Sequence, residues 1–497
     1  MTTNSIKYLQ KGFILWFIFL LGAIMLLDGK PVPNSNEIFY LLRLKSDFLI
    51  NDWTFSHPAN EHWLFNFIFG FGGAVLPLEL LGWLGRITFW IATLAAIFRL
   101  SKIWEIPAWA ATLSLLVWLA LGQTVANDEW IFGGFEAKVV SYLCLIAALY
   151  GFTEKKVILP AILLGLTFSF HPAIGLWATP AVFGMLLYYE NKKANLVKVF
   201  LITAIASLPG LVPLISEQVT TSPGSYDDWK YVILLLQAHH MDPFTFSRRV
   251  FPLLLGMLFF NVYCAWKTSD TRSPLRALAV FQIVIGIWFF LGVFLRYFEL
   301  YPLLRLMPMR LFPVIVFLFF FFSVSRVLLT AKSISFRFVT VGIVISAFLL
   351  LNPYELINKQ VSSTINAWNR QQSDLREISL WIDQNTPKDS LIIMPPQARE
   401  SPYYSNRASI VSAYIRYDRL GEWRERMNDL APKYENEEGQ DIPSKREVAF
   451  NKLPQESIES IQQKYGGDYL VSRKDYSYEI VFSTNTYRVY KLRKEQE

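Results

Sequence analysis

Hydrophobic residues gather into eleven blocks along the chain, near 13–27, 78–99, 106–123, 137–152, 157–170, 174–189, 199–215, 250–266, 277–295, 311–328 and 338–352. Most are roughly 16 to 22 residues long, the length of an α-helix that crosses a bilayer. A twelfth apolar stretch, 63–76, is short and glycine-rich and predicts an interfacial or re-entrant helix leading into the second span. The segment between the first two blocks, 28–62, is polar and carries Asp28, Glu37, Asp47, Asp52 and Glu61. The pattern changes after Leu351. A polar linker, 353–372, is expected to continue as a helix. From 373 the composition is that of a soluble domain. Helical spacing runs through SDLREISLWIDQN and stops at Thr386-Pro387. LIIMPP and GGDYLVSR read as short strands and YEIVFSTNTYRVYKL as a hairpin turning near Asn485, with 420–447 as helix plus loop. The predicted fold is an α-helical polytopic membrane protein of about eleven transmembrane helices, residues 1–352, with a small extracytoplasmic α/β domain at 373–497.

Composition and charge orient this picture. The 497 residues are 53% hydrophobic and 16% aromatic. With the N-terminus in the cytoplasm, one set of loops holds most of the lysines and arginines outside the last domain, from Lys7 and Lys11 to Lys332 and Arg337. The opposite set holds most of the acids, which is the bias that fixes membrane orientation. The odd number of spans then puts the C-terminal domain outside. The formal net charge of +7 is largely this bias and gives no reason to invoke nucleic acid. Cys144 and Cys264 both fall inside apolar blocks, so no disulfide framework is expected. The first block has no small-residue cleavage site before Asp28 and reads as a retained anchor. The chain has no Walker A sequence, Gly-rich dinucleotide fingerprint, HExxH or GxSxG, which removes support for ATP-driven transport and for zinc-peptidase or serine-hydrolase chemistry.

The ionisable residues near the outer face are the candidates for chemistry. Glu37 begins a short helix after PVPNSN. It suits a general base or a ligand for a divalent cation, and Asn36 and Glu37 equally suit helix capping. Asp52 precedes Trp53, pairing a charge with an aromatic platform for sugar; the alternative is an interfacial tryptophan. His57, Glu61 and His62 match no tight metal motif and read as a polar loop. Glu136 and Lys138 stand at the outer end of the fourth span, as a lipid-phosphate site or a salt-bridged helix end. In QAHHMDP, adjacent His239 and His240 point apart on a regular element, and one of them suits a phosphate donor or acid oriented by Asp242, against a plain polar turn. Arg310 follows Arg296 and Arg305 to the outer surface, and arginine's planar fork suits phosphate. Arg86 lies inside the second span, with Glu79 or a lipid phosphate as its expected partner.

NEIFYLL, LINDWTF, FEAKVVSY, HPAIGLW, HHMDP and WIDQNTPKDSLIIMPP together resemble the multi-pass glycosyltransferases of the C-type fold, in an uncharacterised bacterial branch. The likeness covers nearly the whole chain. It implies a glycosyltransferase in the bacterial inner membrane that takes a sugar from a polyprenyl-phosphate donor to a glycan, lipid or protein acceptor on the outer face. It implies Glu37 as the catalytic carboxylate, helped by Asp52, and Glu136, Lys138, His239, His240, Arg310 and Arg86 as the donor-phosphate and substrate site. A divalent cation, magnesium or manganese, would sit on Glu37 and Asp52. Asn36 stands where the family's acidic doublet has Asp. The rival readings are a transporter or flippase for a lipid-linked or amphipathic solute, and an inactive scaffold of the same fold. Convergence of Glu37, Glu136 and the two histidines on one outer cavity favours the enzyme. A path through the membrane lined by Arg86 favours transport.

Overall fold

The computed structural model describes residues 3–34, 36–44, 51–55, 60–190, 192–221, 224–369, 373–432 and 442–492. The first-loop residue His57 lies outside them. The bundle begins with α1 (Thr3–Asp28), the short α2 (Glu37–Arg43) and α3 (Trp63–Val75), then α4 (Leu78–Ser101), α5 (Ala108–Ala120), α6 (Ala137–Thr153), α7 (Ile158–Phe170), α8 (Pro172–Tyr189) and α9 (Lys193–Thr220). Two short outer helices, α10 (Tyr226–Tyr231) and α11 (Ala238–Met241), lead to α12 (Val250–Thr268) and α13 (Pro274–Tyr297). A one-turn α14 (Tyr301–Leu304) precedes α15 (Phe312–Thr330) and α16 (Ile334–Leu351), and α17 (Pro353–Asn369) leaves the bundle.

Among the described residues, seven helices are long and apolar enough to cross a membrane, and four shorter apolar ones fill the remaining expected blocks. Burial separates their roles. Of α15's most apolar window 83% is buried, against 17% for α9 and 11% for α16. Side chains such as Phe338 and Leu349 on α16 are more than 70% exposed. So continuous an apolar surface on a helix of spanning length suits burial in lipid.

Helix length positions the site. α5 and α7 have 13 residues each. At about 1.5 Å per residue each rises about 20 Å, short of the ~30 Å hydrocarbon core. The irregular segment 121–136 and the His171 turn, which follow them, therefore begin at membrane depth. Non-helical backbone is tolerated there only when protein encloses it, and residues 131–136 are buried throughout.

α17 is the expected helical linker. Its Thr364 Oγ1 donates to Leu27 O at 2.7 Å and its Trp368 Nε1 to Gly29 O at 3.0 Å, which lays it against the end of α1. The C-terminal domain holds α18 (Asp374–Asn385), β1 (Leu391–Ile393), α19 (Ser401–Ser405), β2 (Ala408–Ser409), α20 (Leu420–Leu430), α21 (Ile442–Asn451), α22 (Gln455–Tyr465), β3 (Tyr469–Ser472), β4 (Glu479–Ser483) and β5 (Arg488–Lys491). The sheet order is β2-β1-β3-β5-β4. β2, β1 and β3 run parallel, and β5 and β4 add to β3 antiparallel. Thr484 N donates to Tyr487 O at 2.9 Å, closing the hairpin around Asn485.

Candidate active site

Glu37, Asp52, Glu129 and Glu136 are buried carboxylates of the loops, and their surroundings differ. Glu37 is fully buried at the start of α2. Arg86 Nε donates to its Oε1 at 2.8 Å, and a second guanidinium nitrogen reaches Oε2. The backbone N–H groups of Phe135 (2.6 Å) and Asn34 (3.2 Å) complete the set. Glu37 N in turn donates to Asn34 Oδ1 at 3.1 Å, a reciprocal capping pair. Arg86 also donates to Lys30 O and Pro31 O. This corrects two expectations. The partner of Arg86 is Glu37, not Glu79 or a lipid phosphate. Glu37 has all its acceptor directions occupied, so it has no free oxygen for a proton or a metal ion. The pair clamps the first loop, α4 and the entry to α6. A Cβ on Gly85 would lie 2.4 Å from the Phe135 ring, so glycine is what lets α4 approach this closely.

Asp52 is also fully buried and fully used. Its Oδ1 accepts from Thr54 N and Phe55 N, both at 2.8 Å, and its Oδ2 from Ser409 N at 2.8 Å and Ser409 Oγ at 3.0 Å. Trp53 is likewise no open sugar platform. The guanidinium groups of Arg416 and Arg426 lie 5.0 and 4.6 Å from its ring. The Asp52-Trp53 pair fastens the C-terminal domain to the first loop, and these bonds occupy both Asp52 oxygens. Asp52→Ala strands several buried donors, so it is expected to cost about 1–3 kcal/mol and to expose the 408–416 segment. Limited proteolysis checks this, and a wild-type cleavage pattern would contradict it.

Glu129, Glu136, Lys138 and Arg310 form the third arrangement. Lys138 Nζ lies 3.8 Å from Glu129 and 3.6 Å from Glu136, and Arg310 Nε lies 2.9 Å from Glu129 Oε2. The Lys138 ammonium stands 3.0 Å from the centre of the Trp130 ring, a cation–π contact. Trp130 folds back over Gly133, where a Cβ would come within 2.2 Å of the indole. The charges are matched, and the Arg310–Glu129 contact is short, but it is poorly aligned as a hydrogen bond. Both oxygens of Glu129, Oε1 of Glu136, Nε of Arg310, the Tyr142 hydroxyl and Nδ1 of His171 are buried without an aligned partner among the described residues. Buried polar groups are ordinarily satisfied. A concentration of exceptions in one place marks where a ligand or water belongs.

The histidines line the same region. The His62 and His171 rings are 5.1 Å apart, and Tyr40 Oη lies 3.4 Å from His62 Nε2. His239 and His240 do not point apart as expected; their rings are 4.1 Å apart. His240 Nδ1 meets Asn127 O at 2.7 Å, which places the proton on Nδ1. Burial pushes the His240 imidazole well below its ordinary range, with the His239 ring adding to the effect. Asp242 orients neither histidine; it takes a 2.9 Å contact from Arg296 and caps the turn at Phe244 N. The structure thus brings Glu136, Lys138, Arg310 and His240 to one region. Glu37 and Arg86 are paired with each other beside Glu136, Asp52 is hydrogen-bonded to its own loop and to Ser409, and His239 is exposed. Glu129, in the polar run of NDEWIFGGFEAK beside Trp130, joins this region, as do Tyr142 and His171.

Among the described residues no three histidine, cysteine or acidic side chains come together as a metal site. Glu129 and Glu136 are charge-matched by Lys138 and Arg310, so the donor set does not fit a resident divalent cation.

No family model matches the chain, and no curated protein matches it by sequence. Solved structures do share its fold. The oligosaccharyltransferase of Archaeoglobus fulgidus, tethered to an acceptor peptide containing the NVT sequon, superposes with a TM-score of 0.53 at 12% identity, over 94% of this chain and 69% of that one. The archaeal oligosaccharyltransferase AglB from the same organism, in complex with an inhibitory peptide and a dolichol-phosphate, gives 0.52 at 12% identity over 95% and 70%. The Archaeoglobus fulgidus oligosaccharyltransferase with Zn and sulfate gives 0.52 at 14% identity over 93% and 67%. The protein therefore has the C-type fold of multi-pass membrane glycosyltransferases, with a C-terminal α/β domain.

Proposed function

We propose that the protein transfers a sugar from a polyprenyl-phosphate donor to an acceptor hydroxyl on the outer face of a bacterial inner membrane, with its N-terminus in the cytoplasm. The observation that carries this reading is the set of buried, unsatisfied polar atoms around Lys138 and Arg310, in a fold used by membrane glycosyltransferases. Glu129 and Glu136 of that set lie on the segment 121–136, which follows the short helix α5 and begins within the membrane. Lys138 and Arg310 would face the donor phosphate. As the bond from the anomeric carbon to the phosphate oxygen breaks, its electron pair passes to the phosphate, and the two cations stabilise the charge. The acceptor oxygen attacks the anomeric carbon. Its proton goes to Glu136 Oε1, the free oxygen of a carboxylate that burial holds above its ordinary pKa against the pull of Lys138. No metal step is required by this arrangement. Arg86 is sealed by Glu37, so the transport reading loses the residue it relied on.

The test is transfer in lipid nanodiscs from radiolabelled polyprenyl-phosphate sugars to acceptors in a membrane extract. Lys138→Met is expected to lower the rate by about 10²-fold, measured per folded molecule because it also takes the counter-charge from buried Glu136. Transfer that is unchanged in the folded variant would overturn the assignment.

A further inference from the structure

Two carboxylate–arginine contacts among the described residues, Glu37–Arg86 and Glu129–Arg310, have opposite character. Around Glu37 every oxygen is hydrogen-bonded to Arg86 or to backbone N–H groups. Around Glu129 the charges are close, 2.9 Å to Arg310 and 3.8 Å to Lys138, yet neither oxygen has an aligned donor among the described residues. The supports also differ. Glu37 opens a helix, whereas Glu129 sits on the irregular segment 121–136, just after Asn127 and Asp128 at φ +71° and +45°. That segment is anchored on either side of Glu129. Gln123 Oε1 accepts from Ile131 N and Phe132 N at 2.9 and 2.7 Å, His240 Nδ1 meets Asn127 O, and Trp90 Nε1 donates to Gly133 O at 3.0 Å. An exchange at this position would therefore move the Glu129 side chain and not its backbone.

A carboxylate and a phosphate compete for the same geometry on arginine and lysine. The Lys138 and Arg310 side chains are only 4% and 12% exposed, so leaving them without an anion would be costly. We infer that Glu129 is an exchangeable counter-ion: it occupies the two cations when no donor is bound, is displaced by the lipid phosphate, and returns to help expel the polyprenyl phosphate product. This rests on the proposed glycosyltransferase reading and adds to it a residue that sets donor and product affinity without touching the reacting carbon.

The exchange predicts a gain of affinity on mutation, which a merely structural residue would not give. If Glu129 holds the cations roughly nine-tenths of the time, removing its charge raises the competent fraction and tightens binding about tenfold. The experiment is binding of polyprenyl monophosphate to the full chain in nanodiscs, with inorganic phosphate as a parallel ligand. Wild type, Glu129→Gln, Glu129→Asp and Lys138→Met are compared. Tighter binding by Glu129→Gln, or by the shorter Glu129→Asp if the first does not fold, together with stronger product inhibition, supports the exchange. Equal or weaker binding by these variants, while wild type binds through Lys138, overturns the exchange and leaves the transferase reading standing. Failure of wild type to bind either phosphate, or binding indifferent to Lys138→Met, overturns both. Tightening toward inorganic phosphate but not toward the lipid places the site away from the membrane path and also overturns the exchange.

Discussion

Replacing Arg86 with methionine should destabilise the protein by about 3–5 kcal/mol, because it leaves the Glu37 carboxylate buried with no counter-charge. Arg86 is 1% exposed and Glu37 fully buried, so water cannot take the place of the missing partner. The loss would reach beyond the pair. Glu37 also accepts from Phe135 N, and Arg86 from Lys30 O and Pro31 O, so the first loop, α4 and the entry to α6 loosen together. Replacing both partners with apolar residues, Glu37→Leu with Arg86→Met, is expected to recover most of that stability. Double removal leaves no orphan charge. Thermal unfolding in nanodiscs reads all three variants. A single Arg86→Met within about 1 kcal/mol of wild type would show that the pair does not clamp the bundle. Glu37→Gln then separates clamp from catalysis. A clamp predicts lost stability with transfer per folded molecule reduced less than about tenfold, whereas a general base would lose about 10²-fold or more at unchanged stability.

That contrast shows what could be read from the sequence and what could not. The eleven apolar blocks and the turn to a soluble composition after Leu351 were legible, since bilayer thickness imposes helix length directly. The small outer sheet was legible in outline, because LIIMPP, GGDYLVSR and the hairpin around Asn485 carry strand and turn signals of their own. β2 was not, as a two-residue strand at the edge of a parallel sheet leaves no periodicity. The acidic residues of the loops stand out in the sequence as a set, but what each of them meets in space is hidden. Glu37, Asp52 and Glu136 look alike in the sequence and differ in what meets them in space. Glu37 meets an arginine 49 residues away and Asp52 a serine 357 residues away. Only Glu136 keeps an oxygen free. Long-range pairing of this kind has no local signature. The His239–His240 pair failed for a related reason: α11 is a single turn, too short for the divergence of neighbouring side chains on regular elements to apply.

Glu136 carries the second large effect. Glu136→Gln keeps the shape and hydrogen-bonding reach of the side chain and removes the basic oxygen. Transfer is expected to fall about 10²- to 10⁴-fold with little change in folding. Its pH dependence makes the assignment specific. Burial raises the Glu136 carboxyl above its ordinary value, with Lys138 pulling it back and the nearby Glu37 and Glu129 pushing it further up. A general base works only when deprotonated. Wild-type transfer should therefore lose about tenfold per pH unit below that raised pKa, with the limb at higher pH than an exposed glutamate's ~4.3. Lys138→Met removes the first-named lowering influence and should move the limb further up in pH, even as it lowers the plateau. Residual transfer by Glu136→Gln should lack the limb. A rate profile from pH 4 to 8 distinguishes the cases: a limb that persists unchanged in Glu136→Gln assigns the base to another group, of which Glu129, once displaced from Arg310, is the nearest.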